Sequence, residues 1–288
     1  MIKYLAGFSI LLTYILIVFG GYVASSESGM GCGPEWPLCN GKVIPTLEGE
    51  TLIEFGHRFV GLILVFLIGL LFIRLRKESH SQLMLKAANW MVVLLTIQVL
   101  AGAIVVILDL PPIVVTLHLL VAMLFISILI WVFRQEQQRR IHLPFQLERQ
   151  SIKRKLNLLI FLVFLTIGLG AYIKHQTFGL SCHWLYCGDT LLPREFPQLL
   201  QTLHRFLALV TLLYIFYFCL ISYAKKMGAF LKRRSLLMVL VILLQLLSGV
   251  LTIVTSISIS WAVIHLAIGT LLLLVIVDTR ILLNSPNE

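Results

Sequence analysis

Eight apolar stretches of about twenty residues follow one another along the chain, separated by polar, glycine or proline punctuation, and nothing else in the sequence restricts the fold so strongly. They run from Tyr4 to Ala24, Phe55 to Ile73, Met84 to Leu108, Ile113 to Phe133, Leu156 to Ile173, Leu203 to Tyr223, Leu236 to Thr255 and Trp261 to Leu282. A helix that crosses a bilayer needs about 20 mainly apolar residues, and in hydrocarbon the backbone must satisfy its own hydrogen bonds. Only 12% of the 288 residues are charged and 59% are hydrophobic, whereas soluble domains carry about 25% charged residues. The composition excludes a soluble globule, a disordered chain and a small disulfide scaffold. The expectation is an all-α membrane protein with eight transmembrane helices. A cleaved signal peptide over Lys3 to Ser26 is the competing reading of the first stretch, but its apolar run is long for a signal core.

The net charge of +10 would ordinarily suggest nucleic acid or anionic lipid as a partner. Position along the chain gives it another meaning. With the N-terminus inside, 18 of the 23 Lys and Arg residues fall on the cytoplasmic side, among them Arg74, Arg76, Lys77, Arg149, Lys153, Arg154, Lys155, Lys232, Arg233 and Arg234. Lys42, Arg58, Lys174, Arg194 and Arg205 are left for the other side. Cytoplasmic loops are enriched in Lys and Arg, so the split implies a chain with both termini inside. The basic excess is topological, and no nucleic-acid partner is needed to explain it.

The two halves carry the same landmarks. His57-Arg58-Phe59 recurs as His204-Arg205-Phe206, Gln98 with Ala101-Gly102 as Gln245 with Ser248-Gly249, and His118 as His265, each 147 positions later. Tyr22 and Cys32 recur at Tyr172 and Cys182 after 150 positions, Trp36 and Cys39 at Trp184 and Cys187 after 148, so the length differences lie in the outer loops. The chain reads as a tandem duplication of a four-helix unit. The expected organisation is an N-terminal half over 1–134, a cytoplasmic linker over 135–155 and a C-terminal half over 156–288. An even number of helices per unit gives both copies the same orientation, a parallel repeat rather than an inverted one.

Ionisable residues inside spans are costly and by default functional. His57 and His204 are expected within about the first turn of the second and sixth helices, and His118 and His265 about six residues into the fourth and eighth. Two imidazoles facing each other across a four-helix bundle suit a six-coordinate heme iron, which takes one axial nitrogen from each side. Zinc would want three or four protein ligands. The competing reading is a set of histidines that only bridge helices by hydrogen bonds, and the duplication at one offset weighs against it. Arg58 and Arg205 stand at the outer boundary, where a guanidinium can pair with heme propionates or simply snorkel. Glu54 lies three residues before His57 on the same helix face, and Gln201 occupies the equivalent place in the second half. A carboxylate can act as a base where an amide cannot, so the two copies are expected to have different tasks. Against this stands a solvated glutamate favoured at a helix start.

Cys32 with Cys39 and Cys182 with Cys187 fall in outer loops, on the oxidising side, and read as two short-loop disulfides, with redox use of the first pair as an alternative. Cys219 reads as a packing residue, and Gln98 and Gln245 as interhelical hydrogen-bonding groups. His80, His142, His175 and His183 have no repeat partner and are not counted as ligands.

Glu54-x-x-His57-Arg58, the Cys32-Gly33-Pro34-Glu35-Trp36-Pro37-Leu38-Cys39 loop, His118, His204-Arg205, Cys182 to Cys187 and His265 together resemble the heme A synthase family, of the bacterial type with a cysteine pair in each half. The resemblance covers the whole chain. It implies conversion of heme O to heme A for cytochrome oxidase, by successive hydroxylation that turns the methyl group on ring carbon eight into a formyl group. It implies that His57 and His118 hold the substrate heme O, that His204 and His265 ligate a permanent heme b, and that Glu54 is the catalytic carboxylate. A bacterial cytoplasmic membrane, heme sites toward its outer face, cooperation with heme O synthase and an electron acceptor of unknown identity belong to the same expectation. A diheme electron-transfer cytochrome and a heme transporter are the other readings of four intramembrane histidines. The transporter lacks a pair of Gly/Pro-broken helices to mark a midplane site.

Overall fold

Where each helix starts is decided by hydrogen bonding rather than by hydropathy, and the computed structural model shows the difference. It describes residues 1–79, 81–137, 146–183, 186–187 and 192–283, with main chain only at 146–148. Among these the helices are α1 (Ile2–Ser25), α2 (Gly49–Glu78), α3 (Gln82–Ile107), α4 (Pro112–Gln137), α5 (Gln146–His175), α6 (Phe196–Ala224), α7 (Gly228–Val254) and α8 (Ile259–Leu282). All eight are long and apolar enough to cross a membrane. The second and sixth begin at Gly49 and Phe196, about two turns before the apolar runs do. Their opening turns carry Glu50, Thr51 and Glu54, or Gln198, Gln201 and Thr202, polar groups that end a hydropathy window but leave the helical ladder intact. At the start of α6 a capping box joins Glu195 to Gln198, which satisfies N–H groups that a helix end would otherwise leave orphaned. Likewise α5 extends from Gln146 through the basic residues that precede Leu156.

The chain forms two units, Met1–Gln137 and Gln138–Glu288. In the first, α1 packs on α2 and α4, and α3 packs on α2 and α4, so α2 and α4 occupy opposite corners. In the second, α5 packs on α6 and α8 and α7 packs on both, which puts α6 and α8 at opposite corners. The densest packing of the first unit is at one end: Ile68, Leu71 and Leu75 of α2, Ala88 and Met91 of α3, and Phe125 and Leu129 of α4 are all buried. These positions are late in α2 and α4 and early in α3, so the other end of the bundle holds the start of α2 and of α4. The second unit repeats the arrangement with Leu156, Leu159, Phe218, Met238, Leu273 and Ile276. Large apolar residues such as Phe66, Trp90, Phe161 and Leu220 face outward, as lipid-contacting surfaces require.

The connections at the end away from these cores are also duplicated. A one-turn 3-10 helix follows α1 at Ser28–Met30 and follows α5 at Phe178–Leu180. Between α3 and α4 the chain turns through Asp109 and Leu110 at φ +59° and +56°, and between α7 and α8 through Ser256 and Ile257 at +53° and +61°. A left-handed conformation is unfavourable for side chains like these and persists only where packing holds it. The holding contact is visible in both units. Leu110 lies over Gly29, where an added β-carbon would stand 3.2 Å from its methyl groups, and Ile257 lies over Gly179 at 2.5 Å. A glycine in each 3-10 turn thus seats the strained apolar residue of the neighbouring turn.

The packing faces can be tested with a pair of substitutions. Phe125 is 1% exposed and Leu124 is 46% exposed. Phe125→Ala is expected to destabilise the detergent-solubilised protein by about 3 kcal/mol, the usual cost of deleting a buried phenyl ring. Leu124→Ala is expected to leave the thermal melting temperature within about one degree.

Candidate functional site: a histidine pair in each bundle

His57 is the ninth residue of α2 and His204 the ninth of α6, whereas His118 and His265 are the seventh residues of α4 and α8. The early helix starts therefore correct one expectation. His57 and His204 do not lie in the first turn but about 12 Å along their helices, against about 9 Å for His118 and His265 at 1.5 Å per residue. Because α2 and α4 are at opposite corners, as are α6 and α8, each pair spans its bundle diagonal. All four rings are half-buried.

Each imidazole is held against a glycine of the adjacent helix. An added β-carbon would stand 3.2 Å from Cε1 of His57 at Gly20, 3.1 Å from that of His118 at Gly102, 2.7 Å from that of His204 at Gly170 and 3.0 Å from that of His265 at Gly249. Four rings packed edge-first on four glycines cannot swing toward those helices. Gly102 and Gly249 belong to the repeated Gln-x-x-Ala/Ser-Gly motif, whose small residues were expected to allow close helix approach. Gly20 and Gly170 escaped sequence reasoning, although the 150-position offset of Tyr22 and Tyr172 covers them too. Phe19 meets the His57 ring edge-on, with centroids 5.6 Å apart.

Hydrogen bonds hold the second member of each pair. The Gln98 amide Nε2 lies 3.0 Å from Nε2 of His118, and that of Gln245 lies 3.2 Å from Nε2 of His265. Both glutamines thus bridge helices as expected. Nδ1 of His57, His118 and His204 is buried with no hydrogen-bond partner. An unpaired buried nitrogen is costly, so these rings keep their place by packing against the glycines rather than by a partner at Nδ1. Among the described residues no three His, Cys, Asp or Glu side chains group as ligands for a bare metal ion. A pair of clamped imidazoles across a bundle diagonal fits a group that brings its own equatorial ligands and needs only two axial nitrogens.

Glu54 is 4% exposed, and its partners were not legible in the sequence. Its Oε2 accepts the main-chain N–H of Cys32 at 2.7 Å, and its Oε1 accepts from Nη2 of Arg58 at 2.5 Å. Nη1 of Arg58 donates to the Leu38 carbonyl at 2.9 Å. In the second bundle Gln201, 3% exposed, accepts the Cys182 N–H at 2.6 Å through Oε1 and donates to the Gly179 carbonyl at 2.6 Å through Nε2. Arg205 donates to the Cys182 carbonyl at 3.2 Å. The carboxylate and the amide therefore do one structural job, fastening the first cysteine of each disulfide loop to the helix that carries the histidine. Arg58 and Arg205, expected either to pair with heme propionates or to snorkel, are bonded to the same loops. The disulfides Cys32–Cys39 and Cys182–Cys187 are both formed. Cys219 is a free, half-buried thiol of α6. His175 ends α5, His183 follows Cys182, and His80, His142 and Trp184 lie outside the described residues.

Fold and site define a class: multi-pass helical membrane proteins made of two like bundles, each with a histidine pair on its diagonal. Comparison with known proteins narrows the class to one family. The profile of the cytochrome oxidase assembly protein family matches residues 3–52 and 47–277, and the chain belongs to that family. It is 29% identical to a heme A synthase of Macrococcus caseolyticus over 286 residues, which cover 94% of this chain and 93% of the relative. It is 28% identical to one of Bacillus licheniformis, over 91% of this chain and 90% of the relative. A heme A synthase of Bacillus cereus matches at 27% over 99% of this chain and 95% of the relative.

The glycine seats give a graded expectation. Gly170→Ala puts a methyl group 2.7 Å from the His204 ring, whereas Gly20→Ala leaves 3.2 Å to His57. The stability of the second bundle in detergent is expected to fall by about 1–3 kcal/mol for Gly170→Ala, the usual cost of forcing a methyl group into a packed contact. Gly20→Ala is expected to have the smaller effect on the first.

Proposed function

We propose that this protein is a heme A synthase that holds heme O between His57 and His118 in its first bundle and a resident heme b between His204 and His265 in its second. The observation that carries the reading is the Glu54 to Gln201 exchange. Two side chains with the same shape and the same hydrogen bond to a cysteine N–H differ in the one property, proton exchange, that an oxidation of a methyl group needs. A diheme cytochrome that only moved electrons would have no use for this difference. Membership of the cytochrome oxidase assembly family and the likeness to heme A synthases over nearly the full length support the same assignment.

The net reaction turns R–CH3 and one water into R–CHO, releasing four protons and four electrons. A resident heme supplies one-electron transfer when bound. The chain's own residues do the rest. Imidazoles seated on Gly20 and Gly102 fix the substrate across the bundle, and the apolar core beyond them keeps bulk water from that end. Glu54, buried three residues from His57, receives protons as water adds to the oxidised methyl carbon. Arg58 beside it donates to the carboxylate and holds it in place. Water rather than dioxygen supplies the oxygen. We further propose that the protein sits in the bacterial cytoplasmic membrane with both termini inside and the heme sites toward the outer face. Residues 1–134 are then the substrate half, 135–155 the linker and 156–288 the heme b half. Heme O synthase delivers the substrate, and an acceptor not yet identified takes the electrons.

Glu54→Gln separates the chemical role of this residue from its structural one, because Gln201 demonstrates that an amide can fasten the loop. The variant is expected to retain its hemes and both disulfides while heme A, measured by extraction and mass, falls on the order of a hundredfold. A Glu54→Gln or Glu54→Ala protein that still makes heme A at the normal rate would exclude the assignment. With oxygen-18 water the label is expected in the formyl group. Labelling from oxygen-18 gas would exclude water as the source.

A further inference from the structure

The two histidine pairs differ at one atom. Nδ1 of His265 lies 3.0 Å from Oγ of Ser248, whereas Nδ1 of His118 has no partner. The residue 147 positions before Ser248 is Ala101, which has no hydroxyl to offer.

The network around His265 suits one tautomer. The Ser248 hydroxyl donates to the Gln245 carbonyl at 2.9 Å, and a hydroxyl has one proton to give. With its proton on that carbonyl, the hydroxyl oxygen is free to accept from Nδ1–H of His265. An amide Nε2 can only donate, so Nε2 of His265 is the atom with the bare lone pair that faces Gln245 at 3.2 Å. Both contacts agree with the same imidazole, protonated at Nδ1 and with the Nε2 lone pair toward Gln245, where an iron would take the amide's place. Iron-binding histidines ordinarily donate their other ring N–H to an acceptor, which sets their orientation and makes them stronger donors. His265 has that acceptor, and because the Ser248 hydroxyl is itself engaged with Gln245 its oxygen is polarised further. His118 has the same glutamine, through Gln98 at 3.0 Å, and the same glycine seat at Gly102, but Ala101 gives it no hydroxyl.

We infer that Ser248 is a positioning residue that makes the second bundle a heme-retaining site, and that Ala101 in its place makes the first bundle a heme-exchanging one. This rests on the reading of the bundles as heme sites and adds to it the chemical reason why one copy holds its heme while the other accepts and releases. A substrate that must leave as product needs a weaker axial ligand. A resident electron carrier needs a stronger one, which favours ferric iron and lowers the reduction potential.

The test follows heme b in each bundle separately, in purified full-length protein. In a His57→Ala background, only the second bundle retains its histidine pair. There Ser248→Ala is expected to speed transfer of heme b to excess apomyoglobin roughly tenfold and to move its midpoint potential to a more positive value. Ser248→Thr, which keeps the hydroxyl, is expected to restore both. In a His204→Ala background, Ala101→Ser is expected to slow heme b loss from the first bundle severalfold. Unchanged exchange and potential in Ser248→Ala would overturn the inference while leaving the proposed function standing. If Ser248→Ala does not fold, the Ala101→Ser arm decides, and no slowing there overturns it. A His57→Ala protein with no heme at all would remove the second heme site itself, and the inference with it.

Discussion

A backbone immersed in hydrocarbon has no water to fall back on, so every N–H and C=O must be paired within its own helix or by a neighbour. That requirement produces the eight helices, and it also makes each remaining polar group informative. The serines and threonines inside the bundles mostly donate to a carbonyl three or four residues back, as Thr13, Thr116, Thr211 and Thr270 do. Once these are set aside, few buried polar side chains remain at the histidine ends. Those that do are connected to one another: Glu54 to Arg58 and Cys32, Gln201 to Gly179 and Cys182, and Gln245 and Ser248 to His265.

The two ends of each bundle divide the work. Leu71, Leu75, Met91, Phe125 and Leu129 fill the first unit's interior at the end distant from His57 and His118, where close packing gives rigidity. Glycine, histidine and glutamine take over at the other end. Glycine seats let a ring lie where an alanine would push it away, and the cores below hold the helices at the spacing those seats need. Strained turns at Leu110 and Ile257 complete this end, each held by a glycine in the loop after the first helix of its own unit.

Much of this was legible in the residues. Eight apolar runs located the helices, a single offset of 147 exposed the duplication, and the paired histidines and cysteines stood out because they occurred twice. Two kinds of feature were not legible. Helix starts were missed by about two turns in α2 and α6 because polar residues such as Glu50 and Gln198 interrupt an apolar run without interrupting a hydrogen-bonded ladder. Contacts that bring a loop back onto a helix were missed because no periodicity links Cys32 with Glu54, or Gly20 with His57. The Ser248 and Ala101 difference was written in the repeat all along, but it acquired meaning only when His265 was found beside the hydroxyl.

The fastening of each cysteine loop has an evolutionary consequence. An ancestral unit that duplicated in tandem would have begun with two identical copies, and most changes at a buried polar position would have cost one of them its loop. Glutamate and glutamine are nearly the same size, and either can accept the cysteine N–H, as Glu54 and Gln201 do. A single-base change in a codon could therefore have given or removed a proton-exchanging group in one copy without a loss of fold that selection would punish. Divergence of the two halves at this position required no intermediate less stable than its parent.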